Sequence, residues 1–276
     1  MSFKIIADSS ANIWELPDEN YSSVPLKIIL GEKEYVDIKG LDVASFVEEM
    51  STSKEKCGTS CPNVFDWLEA FGDEKEIFVV TITSKLSGSY SAAVQAREDY
   101  INNNPDAKVC VIDSLSAGPE MGLIVEKLLE FDAQGFSFEE AEKEIKKYSE
   151  KTQLLFSLQS LRNLAKNGRV SNTVARIAGV LGIRVVGMAK TGVLEPLHKC
   201  RGEKKALEAI KEEMLKLGYK GGKLRITHCE NSESAKEIVG KIKEKFADID
   251  VKIAECTALC SFYAERGGLL IGFETP

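Results

Sequence analysis

The stretch Ile77–Val94, reading IFVVTITSKLSGSYSAAV, narrows the fold more than any other part of the chain. It opens with an apolar, β-branched run (Ile77, Phe78, Val79, Val80, Ile82) of the length of a strand buried on both faces. A loop of small hydroxyl residues and one glycine follows (Thr83, Ser84, Ser87, Gly88, Ser89). Tyr90, Ala93, Val94 and Arg97 then recur at helical spacing. Strand, hydroxyl-rich turn and helix in that order gather free backbone N–H groups and hydroxyls at one point, which suits a carboxylate or phosphate. The spacing therefore predicts that the acidic end of a ligand is held here. Ser87, Gly88 and Ser89 are also what an ordinary helix cap uses, and taken alone capping is their commoner role.

The same arrangement recurs along the first half. Phe3–Ala7 reads as a strand stopped by Asp8-Ser9-Ser10, and Lys108–Ile112 as one stopped by Asp113-Ser114. Helical patterns cover Leu41–Met50, Ala117–Ala133 and Ser137–Lys151, the last opened by a Ser137…Glu140 capping box. Another helix is expected after Pro62, taken as its first position, with Val64, Phe65, Leu68 and Phe71 as its apolar stripe. Val24–Leu30 reads as a strand that Glu34–Val36 pairs with, and residues 51–63, STSKEKCGTSCPN, as an irregular polar loop. Strands alternating with helices predict a parallel sheet covered on both faces, with ligands beyond the carboxyl ends of its strands. Asp8-Ser9-Ser10, Thr83–Ser89 and Asp113-Ser114 are thus expected on one sheet edge.

The second half reads differently. Strands are expected over Leu154–Leu158, Ile183–Met188, Leu224–Thr227, Val251–Ala254 and Leu269–Phe273. Helices are expected over Gln159–Ala165, Asn172–Val180, Glu203–Leu217 and Ser232–Phe246, with a turn at Thr191-Gly192. The expected fold class is α/β in two domains: a parallel-sheet α/β domain over residues 1–150 and a smaller α+β domain, with a smaller sheet, over 151–276.

Charge and motif content exclude several functions. A net charge of −7 argues against a nucleic-acid partner. No apolar run approaches a membrane span and no signal-peptide pattern opens the chain, so a cytoplasmic location is expected. Seven cysteines without a secretory context argue against a disulfide framework. Cys57 and Cys61, like Cys256 and Cys260, are four apart, and His198 and His228 lie near thiols. These residues are scattered through apolar segments, so no metal is expected. GxGxxG, P-loop and GxSxG motifs are absent, and no cofactor is expected.

A serine hydrolase needs a histidine base, and neither His198 nor His228 can be tied to Ser87 by spacing. No catalytic residue is assigned, although a serine-dependent hydrolase or acyl or phosphoryl transferase using Ser87 stays as the alternative. In Asn167-Gly168-Arg169-Val170-Ser171, Arg169 could meet a carboxylate, but spacing favours a C-cap glycine followed by a solvent-facing arginine. Lys199, Arg201, Lys204 and Lys205 form a basic cluster in an acidic chain. They read as a solvated helix start or as a docking patch for an acidic partner, and an adaptor without any lipid is a third reading.

Taken together, Asp8-Ser9-Ser10, Val24-Pro25-Leu26, Thr59-Ser60-Cys61-Pro62, Leu86-Ser87-Gly88-Ser89-Tyr90, Asp113-Ser114, Gly168-Arg169-Val170-Ser171, Arg201-Gly202-Glu203-Lys204-Lys205 and Gly267–Phe273 resemble the DegV family. The resemblance implies a two-domain bacterial protein that buries one long-chain fatty acid between its domains. It also implies a separate kinase subunit that phosphorylates the bound carboxylate, and at most transient membrane contact. Carried over, it assigns headgroup binding to Thr59, Ser60 and Ser87, with Gly88 and Ser89 nearby. Tyr263 stands where the family usually has a histidine that helps hold the carboxylate; a phenol donates one hydrogen bond but carries no positive charge near neutral pH. Cys61 stands where a glutamine is common. Ile177–Val186 and Leu269–Phe273 are apolar enough to line a tail channel.

Overall fold

The computed structural model describes residues 2–16, 20–171 and 182–276. Strands β1 (Lys4–Asp8), β2 (Tyr21–Val24), β6 (Glu76–Thr81) and β7 (Lys108–Asp113) form a four-stranded, all-parallel sheet in the order β2-β1-β6-β7. Its two faces are buried, as the continuous apolar runs demand. Phe3, Ile5, Phe78 and Val80 face one core with helix α4 (Pro119–Ala133) and helix α5 (Phe138–Ser149). Ile6, Ile77 and Val79 face the other with helix α2 (Val64–Phe71) and helix α3 (Ser89–Asn103). The capping box at the start of α5 forms as expected.

Pro25 splits the expected strand Val24–Leu30. Residues before it belong to β2, whereas β3 (Lys27–Leu30) joins a separate antiparallel sheet of order β4-β3-β5 with β4 (Lys33–Val36) and β5 (Cys57–Ser60). The expected polar loop 51–63 is therefore partly strand, because β5 pairs with β3 through Ser60↔Lys27 and Thr59↔Ile28. Helix α1 (Val43–Thr52) covers this small sheet with Phe46, Val47 and Met50. Pro62 lies just ahead of α2 rather than inside it, since Asn63 is the N-cap. In α2 the inward residues are Trp67 and Phe71, and Phe65, expected in the stripe, is 70% exposed.

The second sheet is the larger one. Its six strands run β10-β9-β8-β13-β11-β12: β8 (Thr152–Leu158), β9 (Ile183–Lys190), β10 (Val193–Arg201), β11 (Lys223–His228), β12 (Asp250–Glu255) and β13 (Leu269–Glu274). All neighbours are antiparallel except β11 and β12. One face carries Leu155, Val186, Leu269 and Ile271 into a core shared with α7 (Glu203–Lys216) and α8 (Ser232–Lys243). The other face looks toward the first half of the chain. The short helices α6 (Arg162–Lys166) and α9 (Ala258–Ala264) stand on that side, and α9 packs against α1 and β3. The expected helix over Asn172–Val180, and residues 177–181 of the expected tail-lining segment, lie outside the described residues.

Helix α4 joins the halves. Met121, Ile124, Val125 and Leu128 fill the core under the parallel sheet. On its opposite side Glu126 pairs with buried Arg225 of β11 at 2.7 Å, and Arg225 also holds Asp250 at 2.8 Å. The first turn of α4 lies against β13 at Gly272, where a Cβ would sit 2.7 Å from the Glu120 nitrogen and 2.7 Å from the Pro119 carbonyl carbon. Both near atoms are backbone, so neither can swing aside. Gly272→Ala is accordingly expected to lower unfolding free energy by about 1–3 kcal/mol in urea denaturation. A variant as stable as the parent would mean that α4 does not seat on β13.

Candidate functional site

The expected gathering at the carboxyl ends of the parallel strands is present, and a buried carboxylate organises it. Asp8, at the end of β1, has no solvent exposure. It accepts the Ile82 N–H at 2.9 Å, the Ser89 hydroxyl at 2.6 Å, the Ser10 N–H at 3.2 Å and the Ser10 hydroxyl. One side chain thus ties the first strand end to the loop after β6 and to the first turn of α3. Burial pushes the Asp8 carboxyl above its ordinary range, and the donors from Ser10, Ser89 and Ile82 pull it back. The third strand end joins through Asp113, which accepts the Ser84 N–H at 3.1 Å.

An apolar cavity of about 720 Å³, mouth included, opens beside this loop. Its wall on the second sheet is set by the two-residue period of β8: Leu154, Phe156 and Leu158 point into it, joined by Leu270 of β13, the partner of Phe156. Gly187 of β9 lies directly beneath Phe156, and a Cβ there would overlap the ring. The missing side chain lets the ring lie along the sheet. Opposite stand Leu26, Ile82, Leu86 and Leu259. Of the segments expected to line a tail channel, Leu270 does so, whereas Leu269, Ile271 and Phe273 face the other core.

Polar side chains are few, and apart from Ser10 they lie near one another. Thr59, Ser87, Arg169 and Tyr263 all reach the cavity. The Thr59 and Tyr263 hydroxyls share a hydrogen bond of 2.7 Å across the two halves of the chain. Burial pushes the Tyr263 phenol up, so it stays a neutral donor. Arg169 is not the solvent-facing residue that spacing favours: its Nε donates to the Leu86 carbonyl at 3.0 Å, and the side chain is half-buried against the serine loop. The end of β8 that carries Leu158 is fastened to this group. There Asn163 of α6 donates to the Phe262 carbonyl at 2.8 Å, next to Tyr263.

Other expected site residues are placed differently. Ser89 is buried and its hydroxyl is committed to Asp8, so it shapes the loop without lining the cavity. Gly88 is exposed beside the Cys61 thiol, and Ser60 is half-buried; neither is in the lining. The Ser87 hydroxyl accepts the Ser89 N–H at 3.3 Å while still facing the cavity. Lys199 and Arg201 lie on β10, an edge strand and not a helix start, and Lys204 and Lys205 on the first turn of α7. All four are exposed and outside the cavity.

Ser10, expected on the ligand-binding edge of the sheet but not named as a site residue, lines the cavity. One further feature had no local signal in the sequence. Buried Asp37 accepts the Ala258 and Leu259 N–H groups at 2.9 and 3.2 Å and Trp14 Nε1 at 3.0 Å, capping α9 from far away in the chain. That cap aims α9, which carries Leu259, Cys260 and Tyr263 into the cavity. Among the described residues no cluster of histidine, cysteine and carboxylate side chains could hold a metal.

An apolar cavity with hydroxyls and one guanidinium among its lining is suited to an amphiphile with an acidic end, and similarity to known proteins bears on which. The DegV family model matches residues 2–275. The chain belongs to the DegV family. A DegV domain-containing protein of Streptococcus pneumoniae R6 is 44% identical over 279 residues, covering 99% of each chain. Two solved structures superpose over all of both chains with a TM-score of 0.97. One is a DegV protein of Eubacterium eligens loaded with heptadecanoic acid, 45% identical. The other is the Fatty Acid Kinase (Fak) B3 protein of Streptococcus pneumoniae loaded with linoleic acid, 44% identical. The two-part α/β architecture of this DegV chain is thus that of its relatives.

The cavity's apolar end borders a second buried carboxyl. Glu120 accepts the Thr152 hydroxyl at 2.8 Å and the Ser116 hydroxyl, and burial pushes it up to about 7 from the usual 4.5. Folded protein therefore holds this proton more tightly than unfolded chain does. Its favourable share of stability is complete below about pH 4.5 and is lost as pH rises through about 7. Between about pH 4 and about pH 8 the parent should lose on the order of 3 kcal/mol relative to Glu120→Gln in denaturant titrations. Parallel pH profiles for the two would place this carboxyl in water.

Proposed function

We propose that this DegV protein encloses one long-chain fatty acid and presents its carboxylate to a separate kinase subunit, which converts it to the acyl phosphate. The observation that carries the reading is the cavity itself: apolar along its length, with Thr59, Ser87, Arg169 and Tyr263 at one end. Burying about fourteen methylenes at roughly 0.8 kcal/mol each offers about 11 kcal/mol gross. Ordering chain and ligand consumes much of this, which leaves reversible binding suited to a carrier. The carboxylate needs two or three donors; the Thr59, Ser87 and Tyr263 hydroxyls supply them, and Arg169 adds charge. Kinship to a fatty-acid kinase protein loaded with linoleic acid supports both the ligand class and the partner.

In this reading residues 1–150 supply the hydroxyl loops for the headgroup and 151–276 one wall of the tail site, with Arg169 and Tyr263 reaching back to the headgroup; Leu26, Ile82, Leu86 and Ala117 give the tail its opposite wall, so the division of roles is less strict than expected. Lys199, Arg201, Lys204 and Lys205 form the partner-docking patch, and Ser60, Gly88 and Ser89 shape the loops around the carboxylate. The protein works in the cytoplasm and meets the membrane only in passing; among the described residues no helix is long and apolar enough to cross one. The alternative of a hydrolase using Ser87 lacks a base in reach. His198 Nε2 is bonded to Glu213 at 2.7 Å and His228 Nδ1 accepts the Asn231 N–H at 3.3 Å, and neither lines the cavity.

Native mass spectrometry of protein purified from a bacterial host should show the chain plus one acyl mass. A bare chain that takes up neither palmitate nor oleate would overturn the reading. Ser87→Ala should weaken binding by about 1–3 kcal/mol in a fatty-acid titration. An unchanged titration would remove Ser87 from the headgroup site.

A further inference from the structure

The cavity ends where a cluster of polar groups begins. Thr152, Leu154, Phe156 and Leu158 share one face of β8, about 20 Å from first to last. The last three line the cavity; Thr152, the next same-face residue, instead donates to Glu120. The pattern repeats on the other wall, where Ala117 lines the cavity and its neighbour Ser116 donates to the same carboxyl. Ser116, Glu120 and Thr152 are all buried. Beyond them lies a second, more open pocket, lined by Glu120 and Thr152 together with Asp113, Ser114 and Lys190. No residue lines both pockets.

This end is opposite the headgroup. Leu158 leads into α6, whose Asn163 contacts the Tyr263 segment, while Thr152 sits at the far terminus of the strand. A tail entering past Thr59 and Ser87 therefore runs along β8 toward Thr152. The first turn of α4 closes down on this end of the sheet, where it packs against Gly272.

We propose, on the reading of the cavity as an acyl site, that Ser116, Glu120 and Thr152 form its floor and set the longest acyl chain the protein accepts. A methyl end pushed against this group must displace the hydrogen bonds of a buried carboxyl, so chains beyond the fitting length are disfavoured by desolvation as well as by volume. Glu120 is the positioning element: it bridges the two walls, from α4 to β8 and to the loop before α4.

The test uses the full chain, stripped of lipid and offered a graded series of straight-chain saturated acids, with the retained acids read by mass spectrometry. The parent should show a cut-off in length. Glu120→Ala should extend it by about two carbons, the depth of side chain removed, as the tail passes toward the second pocket. Ala117→Leu, which adds bulk on the cavity side and leaves the cluster intact, should shorten it by about as much. If Glu120→Ala fails to fold, the Ala117→Leu profile decides. A cut-off unmoved in the folded variants overturns the floor, and so does a uniform loss of affinity at every length, which would place Ala117 on a side wall. A parent that retains no acid at all would instead overturn the fatty-acid reading itself.

Discussion

The site depends on one buried carboxylate. Asp8 lies at the end of a strand where both sheet faces are covered, and leaving it in that position without donors would cost several kcal/mol. Ser10, Ile82 and Ser89 offset part of the cost, and in doing so they fix the path of the loop that carries Ser87. The loop is therefore stiff where it meets the cavity. A hydroxyl held in place before the ligand arrives needs little ordering when it binds, which is where a carrier with few polar contacts gains affinity.

Asp37 does for the other half what Asp8 does for the first. By accepting the leading N–H groups of α9 it orients a short helix that would otherwise be marginal, and that helix brings Tyr263 to Thr59. The polar end of the cavity is thus assembled from both halves: Thr59 on a small antiparallel sheet, Ser87 on the loop after a strand of the parallel sheet, Arg169 and Tyr263 on segments beyond residue 150. Helix α4 holds the halves in register, with apolar residues under one sheet and Glu126 on Arg225 of the other.

The parallel sheet, the shared edge of its strand ends and the hydroxyl loop were legible because each strand is a continuous apolar run stopped by small polar residues. Ser137 with Glu140 marked α5 for the same local reason. The misses are places where distant pairing overrides local pattern. Cys57–Ser60, with its glycine and hydroxyls, has little strand propensity and is a strand only because β3 lies beside it. Val193–Arg201 contains Pro196, which argues against a central strand; it is an edge strand, irregular between Pro196 and His198. Helix α9 has Thr257 at its N-cap, but the hydroxyl does not cap it; the leading N–H groups are taken by Asp37, a contact that no local pattern announces. Ser87 was singled out by the strand–turn–helix pattern, and Thr59 and Tyr263 chiefly by motif resemblance; all three line the cavity, but that Ser89 serves Asp8 and not the cavity depends on a contact across eighty-one positions.

The proposed acyl site has a direction: carboxylate at Thr59 and Ser87, methyl end at Ala117, Leu154 and Leu270. A crystal grown with a fatty acid brominated at its terminal carbon tests this most directly, through the anomalous signal of the bromine. One peak is expected beside Leu154, with the carboxylate in hydrogen-bond contact with the Thr59 and Ser87 hydroxyls. A peak at Thr59, or one outside the cavity, would contradict it.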